Sequence, residues 1–154
     1  YAGDEIGTLN DYSFLKDNTK KEDSRWVNRP QQDWEIVNGL AKKKTPQAEI
    51  YHALKKLITI RKKNPVFADK NNLEIYHTGN EHIMVFERTS KIKDGLLVIA
   101  NFDTSPQVID ASWINKLGYL KHQEYQDLIS DTKTKLSSGF LELMPYQLLW
   151  LKKD

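Results

Sequence analysis

The chain has 154 residues, 23 Lys and Arg against 21 Asp and Glu, and a formal net charge of +2. Charges so nearly balanced and interspersed give no footing for nucleic acid or an anionic membrane as partner, and no apolar run approaches the ~20 residues of a membrane-spanning helix. Cysteine is absent, which excludes a disulfide framework and a thiolate metal site and favours a reducing, cytoplasmic setting.

Residues 1–45 are polar, rich in Asp, Asn, Lys and Ser, and show no sustained period of 2 or 3.6. So long a structureless stretch is uncommon inside a compact domain and is usually functional or part of something larger. Within it, Lys42-Lys43-Lys44 reads as a solvated loop. Residues 46–62 read as a helix. Thr45 serves as N-cap and Pro46 as first helical residue, where the missing N–H costs nothing. Ile50, Leu54, Leu57, Ile58 and Arg61 follow at spacings of three and four, with Tyr51 beside them, and form one stripe. Lys62 and Lys63 suit the carboxyl end of the dipole, and Asn64-Pro65 ends the helix.

Residues 66–154 are β in character, with at least seven short strands punctuated by turns. They are Leu73 to His77, His82 to Thr89, Leu96 to Phe102, Gln107 to Asp110, Tyr125 to Ile129, Phe140 to Leu143 and Tyr146 to Leu151. Asp94-Gly95 is a turn signal that pairs the second and third. Leu96-Leu97-Val98-Ile99-Ala100 is apolar on both faces, which makes that strand central. On the last strand Tyr146, Leu148 and Trp150 alternate and read as core. Ser112 to Leu117 reads as a short helical turn. The expected fold is mainly β: a C-terminal antiparallel β-sandwich preceded by one long helix and an irregular loop region, divided at residues 1–64 and 65–154.

Tyr1-Ala2-Gly3-Asp4-Glu5-Ile6-Gly7 resembles the end of the eighth barrel strand in the α-amylase superfamily of glycoside hydrolases and transglycosidases. The longer run through Thr8-Leu9-Asn10-Asp11, then Asp23-Ser24-Arg25-Trp26 and Arg29-Pro30, resembles amylosucrases. The resemblance continues through Ile50-Tyr51, Ile60-Arg61, Asn64-Pro65, His82-Ile83, Asn101-Phe102, Asp127-Leu128-Ile129, Pro145-Tyr146-Gln147 and Trp150-Leu151, and so covers essentially the whole chain. It implies a (β/α)8 barrel followed by an all-β domain, of which residues 1–7 are the last strand's end, 8–45 a loop, 46–62 the last barrel helix and 66–154 the β domain. The implied chemistry is retaining glucosyl transfer from sucrose to an α-1,4-glucan with release of fructose, through paired carboxylates ~5–5.5 Å apart.

In that family the catalytic acids lie upstream of Tyr1, so the chain is expected to be a carboxy-terminal fragment with no catalytic, cofactor-binding or metal-binding residue of its own. Asp4 and Glu5, taken as strand neighbours, face opposite sides and cannot flank one bond. Arg25 matches an arginine that in amylosucrases closes the pocket by a salt bridge to an upstream Asp, a task suited to a planar fork. Asp11 and Arg29, in the same loop, are further substrate-binding candidates. Gln31-Gln32-Asp33-Trp34 and residues 42–44 depart from the pattern, leaving polymerisation versus hydrolysis open. His52, His77, His82 and His122 lack the spacing of a zinc site. Trp26 and Trp34 are the better sugar-stacking candidates among the tryptophans. The alternatives are a piece of a sucrose hydrolase or trehalose-synthase-like enzyme, or a non-catalytic carbohydrate-binding β module. A helix stripe that lacks its barrel also predicts either self-association or a non-native packing of residues 1–45.

Overall fold

A computed structural model describes residues 3–41, 44–89, 95–110, 112, 124–134 and 139–152. The chain divides into two compact units, residues 1–58 and 59–154.

The first unit is built from short turns tied down by acidic side chains. A 3-10 turn spans Asp4–Ile6 between Gly3 (φ 106) and Gly7 (φ 61), both left-handed. Among the described residues, 3–7 form this turn where the resemblance implied the end of a strand. The two left-handed glycines reverse the chain, the Ile6 N–H donates to the Gly3 carbonyl at 3.1 Å, and the Glu5 carboxylate accepts the Gly3 N–H at 2.9 Å. With no strand there, strand alternation no longer separates Asp4 from Glu5; Glu5 is occupied instead by the turn it closes. Further 3-10 turns follow at Ser13–Lys16 and Ser24–Asn28.

Helix α1, Trp34–Gly39, lies in the stretch read as unstructured. Six residues are too few to show a period, but Asp33 caps the helix by accepting the Glu35 and Ile36 N–H groups at 2.9 and 3.3 Å. Its Ile36 and Val37 pack with Ile6, Leu40, Ala48 and Tyr51 into a small core. Helix α2 spans Pro46–Lys63, and Thr45 Oγ1 accepts the Ala48 N–H at 3.3 Å. Ala48 and Tyr51 face that core, while Ile50, Leu54 and Ile58 are 39, 39 and 53% exposed.

The second unit is mainly β. Its strands are β1 Leu73–Tyr76, β2 Ile83–Thr89, β3 Gly95–Asn101, β4 Gln107–Asp110, β5 Tyr125–Asp127, β6 Thr132–Thr134, β7 Phe140–Leu143 and β8 Leu148–Lys152. Six form one sheet in the order β1-β2-β3-β8-β5-β6, and β4 pairs with β7; every pairing is antiparallel. Strand β3 is buried along its whole length, as its unbroken apolar run predicts. The main core joins the sheets through Ile83, Val85, Leu97, Ile99, Leu149 and Leu151 of the larger and Ile109 and Leu143 of the smaller. Burying such side chains stabilises by about 1.5–3 kcal/mol each. On the large sheet's other face Val66 and Phe67 pack against Leu96, Val98 and Trp150, with the Phe67 and Trp150 rings 5.0 Å apart.

Two details differ from the sequence reading, and some of its residues are not described. Strand β6 is an addition, short and polar. The last strand starts at Leu148, because Tyr146 adopts φ 55 in the preceding turn and is 65% exposed rather than core. Asp94, His122 and most of Ser112 to Leu117 lie outside the described residues.

Two buried polar residues hold the turns of this unit. The Asp127 carboxylate accepts N–H groups from Ile129, Ser130 and Trp150 and the Ser130 hydroxyl. Asn101 Nδ2 donates to the Ser105, Leu143 and Met144 carbonyls, and its Oδ1 accepts the Asp103 N–H. Tyr76 donates its hydroxyl to Glu87 at 3.1 Å, and burial, reinforced by that carboxylate, pushes its pKa well above the phenol range.

Candidate functional site

Four of the five aspartates in the first unit accept the N–H of the second residue after them: Asp11 from Ser13, Asp17 from Thr19, Asp23 from Arg25 and Asp33 from Glu35. Such turns let a short side chain replace a backbone acceptor and bend the chain sharply. Three of them fold residues 9–31 back on themselves, and the Asp11 N–H closes the loop on the Val27 carbonyl at 2.9 Å.

Between these turns lies an open cavity of about 520 Å³. Phe14, which is buried, and Trp26, which is half-buried, supply its apolar surface. Lys16, Lys20 and Arg29 bring three cations to its wall, and Asp11 and Asp17 two carboxylates. Lys20 Nζ lies 4.8 Å and Arg29 Cζ 5.8 Å from the Trp26 ring centroid, within cation–π reach. Asp17 pairs with Lys20 at 3.4 Å, a partly exposed ion pair of small energetic worth. The Ser13 backbone bond holds the Asp11 carboxyl below its usual range, and the Thr19 hydroxyl does the same for Asp17.

Of the residues singled out from sequence, the structure brings Asp11 and Arg29 together on this cavity. Arg25 does not line it. Its guanidinium forks onto Asp23, Nε to Oδ1 and Nη2 to Oδ2 both at 2.8 Å, and is largely exposed. That pairing draws the Asp23 carboxyl down to about 2. Trp26 joins the cavity, whereas Trp34 is 67% exposed and stands apart from it. Lys16 and Lys20 were not singled out. Only the turn chemistry of Asp11 and Asp17 signals that these lysines, Lys16 exposed and Lys20 half-buried, border one cavity.

Among the described residues no group of three or more His, Cys, Asp or Glu is arranged to hold a metal ion. His82 Nδ1 lies 2.8 Å from Asp103 Oδ2, and His52 Nε2 is 3.0 Å from the Leu40 carbonyl. The second unit carries a groove of about 550 Å³ beside β1 and β2, where Ile75, Met84 and Phe102 are exposed.

No family model matches the chain. It is weakly homologous to glucosylglycerate phosphorylase of Escherichia coli strain K12, 28% identical over 148 residues, which are 96% of this chain and 24% of that protein. The chain thus spans about a quarter of the length of that relative. Among solved structures it is similar in fold to trehalulose synthase MutB. A mutant in complex with Tris superposes with a TM-score of 0.51 at 20% identity, covering 77% of this chain and 20% of that one. A second MutB mutant, from crystals soaked with trehalulose, gives 0.50 at 20% identity over 76% and 19% of the two chains. The Pseudomonas mesoacidophila MX-45 enzyme itself gives 0.49 over 77% and 20%. At these identities the likeness is one of fold.

Proposed function

We propose that the chain is the carboxy-terminal part of a larger α-amylase-superfamily enzyme that transfers glucosyl units from sucrose to an α-1,4-glucan and releases fructose. The observation that carries the reading is colinearity: nearly the whole chain aligns with a quarter of a curated enzyme named for a glucosyl compound. The choice of sucrose and glucan rests on the resemblance of Gly3 to Asp11 and of Ser24-Arg25-Trp26 to amylosucrases. Retaining chemistry requires two carboxyl groups across one glycosidic bond. The aspartates of residues 9–35 are bound into turns, so in this reading those groups come from the rest of the parent. Residues 9–31 then contribute a loop with a cavity, and residues 59–154 a structural β module.

Arg25 has the fork that carboxylate recognition needs. To meet an upstream Asp in the parent it exchanges Asp23 for that partner or shares its five donors between them. The isolated chain is proposed to self-associate through the exposed Ile50, Leu54 and Ile58 of α2.

A second reading, phosphorolysis, is favoured by the name of the aligned relative and by the excess of cations over carboxylates around the cavity. Product analysis of the purified parent protein on sucrose, with and without inorganic phosphate, separates the two. Glucan plus fructose in both conditions supports transfer. Glucose 1-phosphate formed only with phosphate supports phosphorolysis. Free glucose and fructose without glucan identify a hydrolase and a rearranged disaccharide an isomerase, and a parent that leaves sucrose untouched overturns the reading.

A further inference from the structure

We infer that the cavity of residues 9–31 holds the anionic group, phosphate or carboxylate, of a small hydroxylated ligand, with Lys16 and Arg29 as its charged contacts and Trp26 as the platform for its carbon skeleton. The inference rests on the proposed glucosyl transfer and names the chemical class of effector, distinct from the neutral glucan acceptor, that this loop would admit.

Three observations lead there. First, cations outnumber carboxylates at the wall, three to two, with Ser13 and Gln31 neutral. Lys16, Lys20 and Arg29 bring only N–H groups, whereas Asp11 and Asp17 each spend an oxygen on a backbone N–H, and Asp17 also accepts the Thr19 hydroxyl at 2.7 Å. A neutral sugar needs acceptors for its hydroxyl protons as well as donors; an oxyanion needs donors alone. Second, the cations are unequally engaged. Lys20 is paired with Asp17, but among the described residues neither Lys16 nor Arg29 forms an ion pair. Those two keep charge for a ligand. Third, the Trp26 ring lies beside the cations, so a ligand held by its anionic end can lay C–H groups against an aromatic surface. Phosphate and carboxylate share this recognition chemistry, and both match a planar guanidinium through two parallel hydrogen bonds.

The chain as it stands serves for the test, since the cavity is formed within its first unit. Inorganic phosphate, glycerate and maltose are titrated while the Trp26 indole N–H resonance is followed, assigned by Trp26→Phe. Saturable shifts with phosphate or glycerate are expected. They should weaken about tenfold in a Lys16→Gln/Arg29→Gln double variant, the loss of two charge-assisted contacts at a screened site. They should also weaken as salt rises from roughly 0.01 to 0.1 M, over which the screening length shrinks about threefold. Glu35→Gln, exposed and outside the cavity lining, should leave them unchanged. Phosphate binding without glycerate assigns a phosphoryl ligand, and the converse a carboxylate. No saturable shift with either anion, maltose binding as tightly as they do, or an unaltered response in a folded double variant overturns the inference. Because no turnover is measured, an empty cavity with a sucrose-active parent defeats this inference alone, whereas anion binding with a sucrose-inert parent defeats the catalytic reading alone.

Discussion

Replacing Asn101 by alanine should cost the second unit about as much as truncating a core leucine, although the side chain is polar. Asn101 is 3% exposed, and it ties the end of β3 to the turn after it and to the turn before β8. Its Nδ2 lies 3.0, 3.3 and 2.9 Å from the Ser105, Leu143 and Met144 carbonyls, and its Oδ1 accepts the Asp103 N–H at 2.8 Å. The amide has only two hydrogens, so the 3.3 Å contact shares a proton and about three full hydrogen bonds are lost. At roughly 0.5–1.5 kcal/mol each, with groups left poorly solvated, the total is about 2–4 kcal/mol. With a urea slope of about 1–3 kcal/mol per M, the unfolding midpoint followed by far-UV circular dichroism should fall by roughly 1–2 M at unchanged slope. Asn101→Asp keeps the acceptor but turns a carboxylate toward carbonyl oxygens, which raises its folded pKa. Its deficit should therefore widen as pH rises above about 4, the range in which only the unfolded chain releases that proton. A midpoint within about 0.3 M of wild type for Asn101→Ala would refute the account of this residue as a keystone.

Three further outcomes are expected. Gly7→Ala places a Cβ 2.6 Å from Ile50 Cδ1 at a residue with φ 61. It should destabilise the first unit by about 1–2 kcal/mol in amide exchange, with part restored by adding Ile50→Ala; no loss would contradict the left-handed turn. Asp23, held at about 2 by its Arg25 hydrogen bonds, contributes stability that is complete above the unfolded value and lost as pH falls through about 2. Its carboxyl carbon should titrate there by NMR and move up toward about 3.9 in Arg25→Gln, and a titration unmoved by that substitution would show that the fork is not the cause. Leu54→Glu should reduce self-association of the chain in sedimentation velocity without altering its circular dichroism; a monomeric wild type removes that proposal.

The parts of the fold most readable from sequence were those where one physical demand dominates. Strand β3 is apolar on both faces because both faces are covered, and α2 is punctuated by Thr45-Pro46 and Asn64-Pro65. Less readable were elements decided by a few hydrogen bonds. Helix α1 depends on the Asp33 cap, the turn at Asp4–Ile6 on two left-handed glycines, and β6 on partners that a three-residue polar segment cannot advertise. Tyr146 reads as strand because its alternation with Leu148 is genuine, but φ 55 puts it in the turn. At the candidate site the sequence pointed to a loop and to Asp11, Arg25 and Arg29. That Arg25 lies apart, bound to Asp23, follows from a local pairing two residues long. Lys16 and Lys20 stayed hidden because lysines in a polar stretch look like solvated surface until the turns at Asp11 and Asp17 bring them to the border of one cavity.

The measurement that bears most directly on the account is fructose released from sucrose by this 154-residue chain and, in parallel, by the longer protein proposed to contain it. The account predicts steady release by the longer protein, with glucosyl units recovered in glucan, and none by the chain alone. Turnover by the chain itself would place the reacting carboxylates within these residues and contradict it.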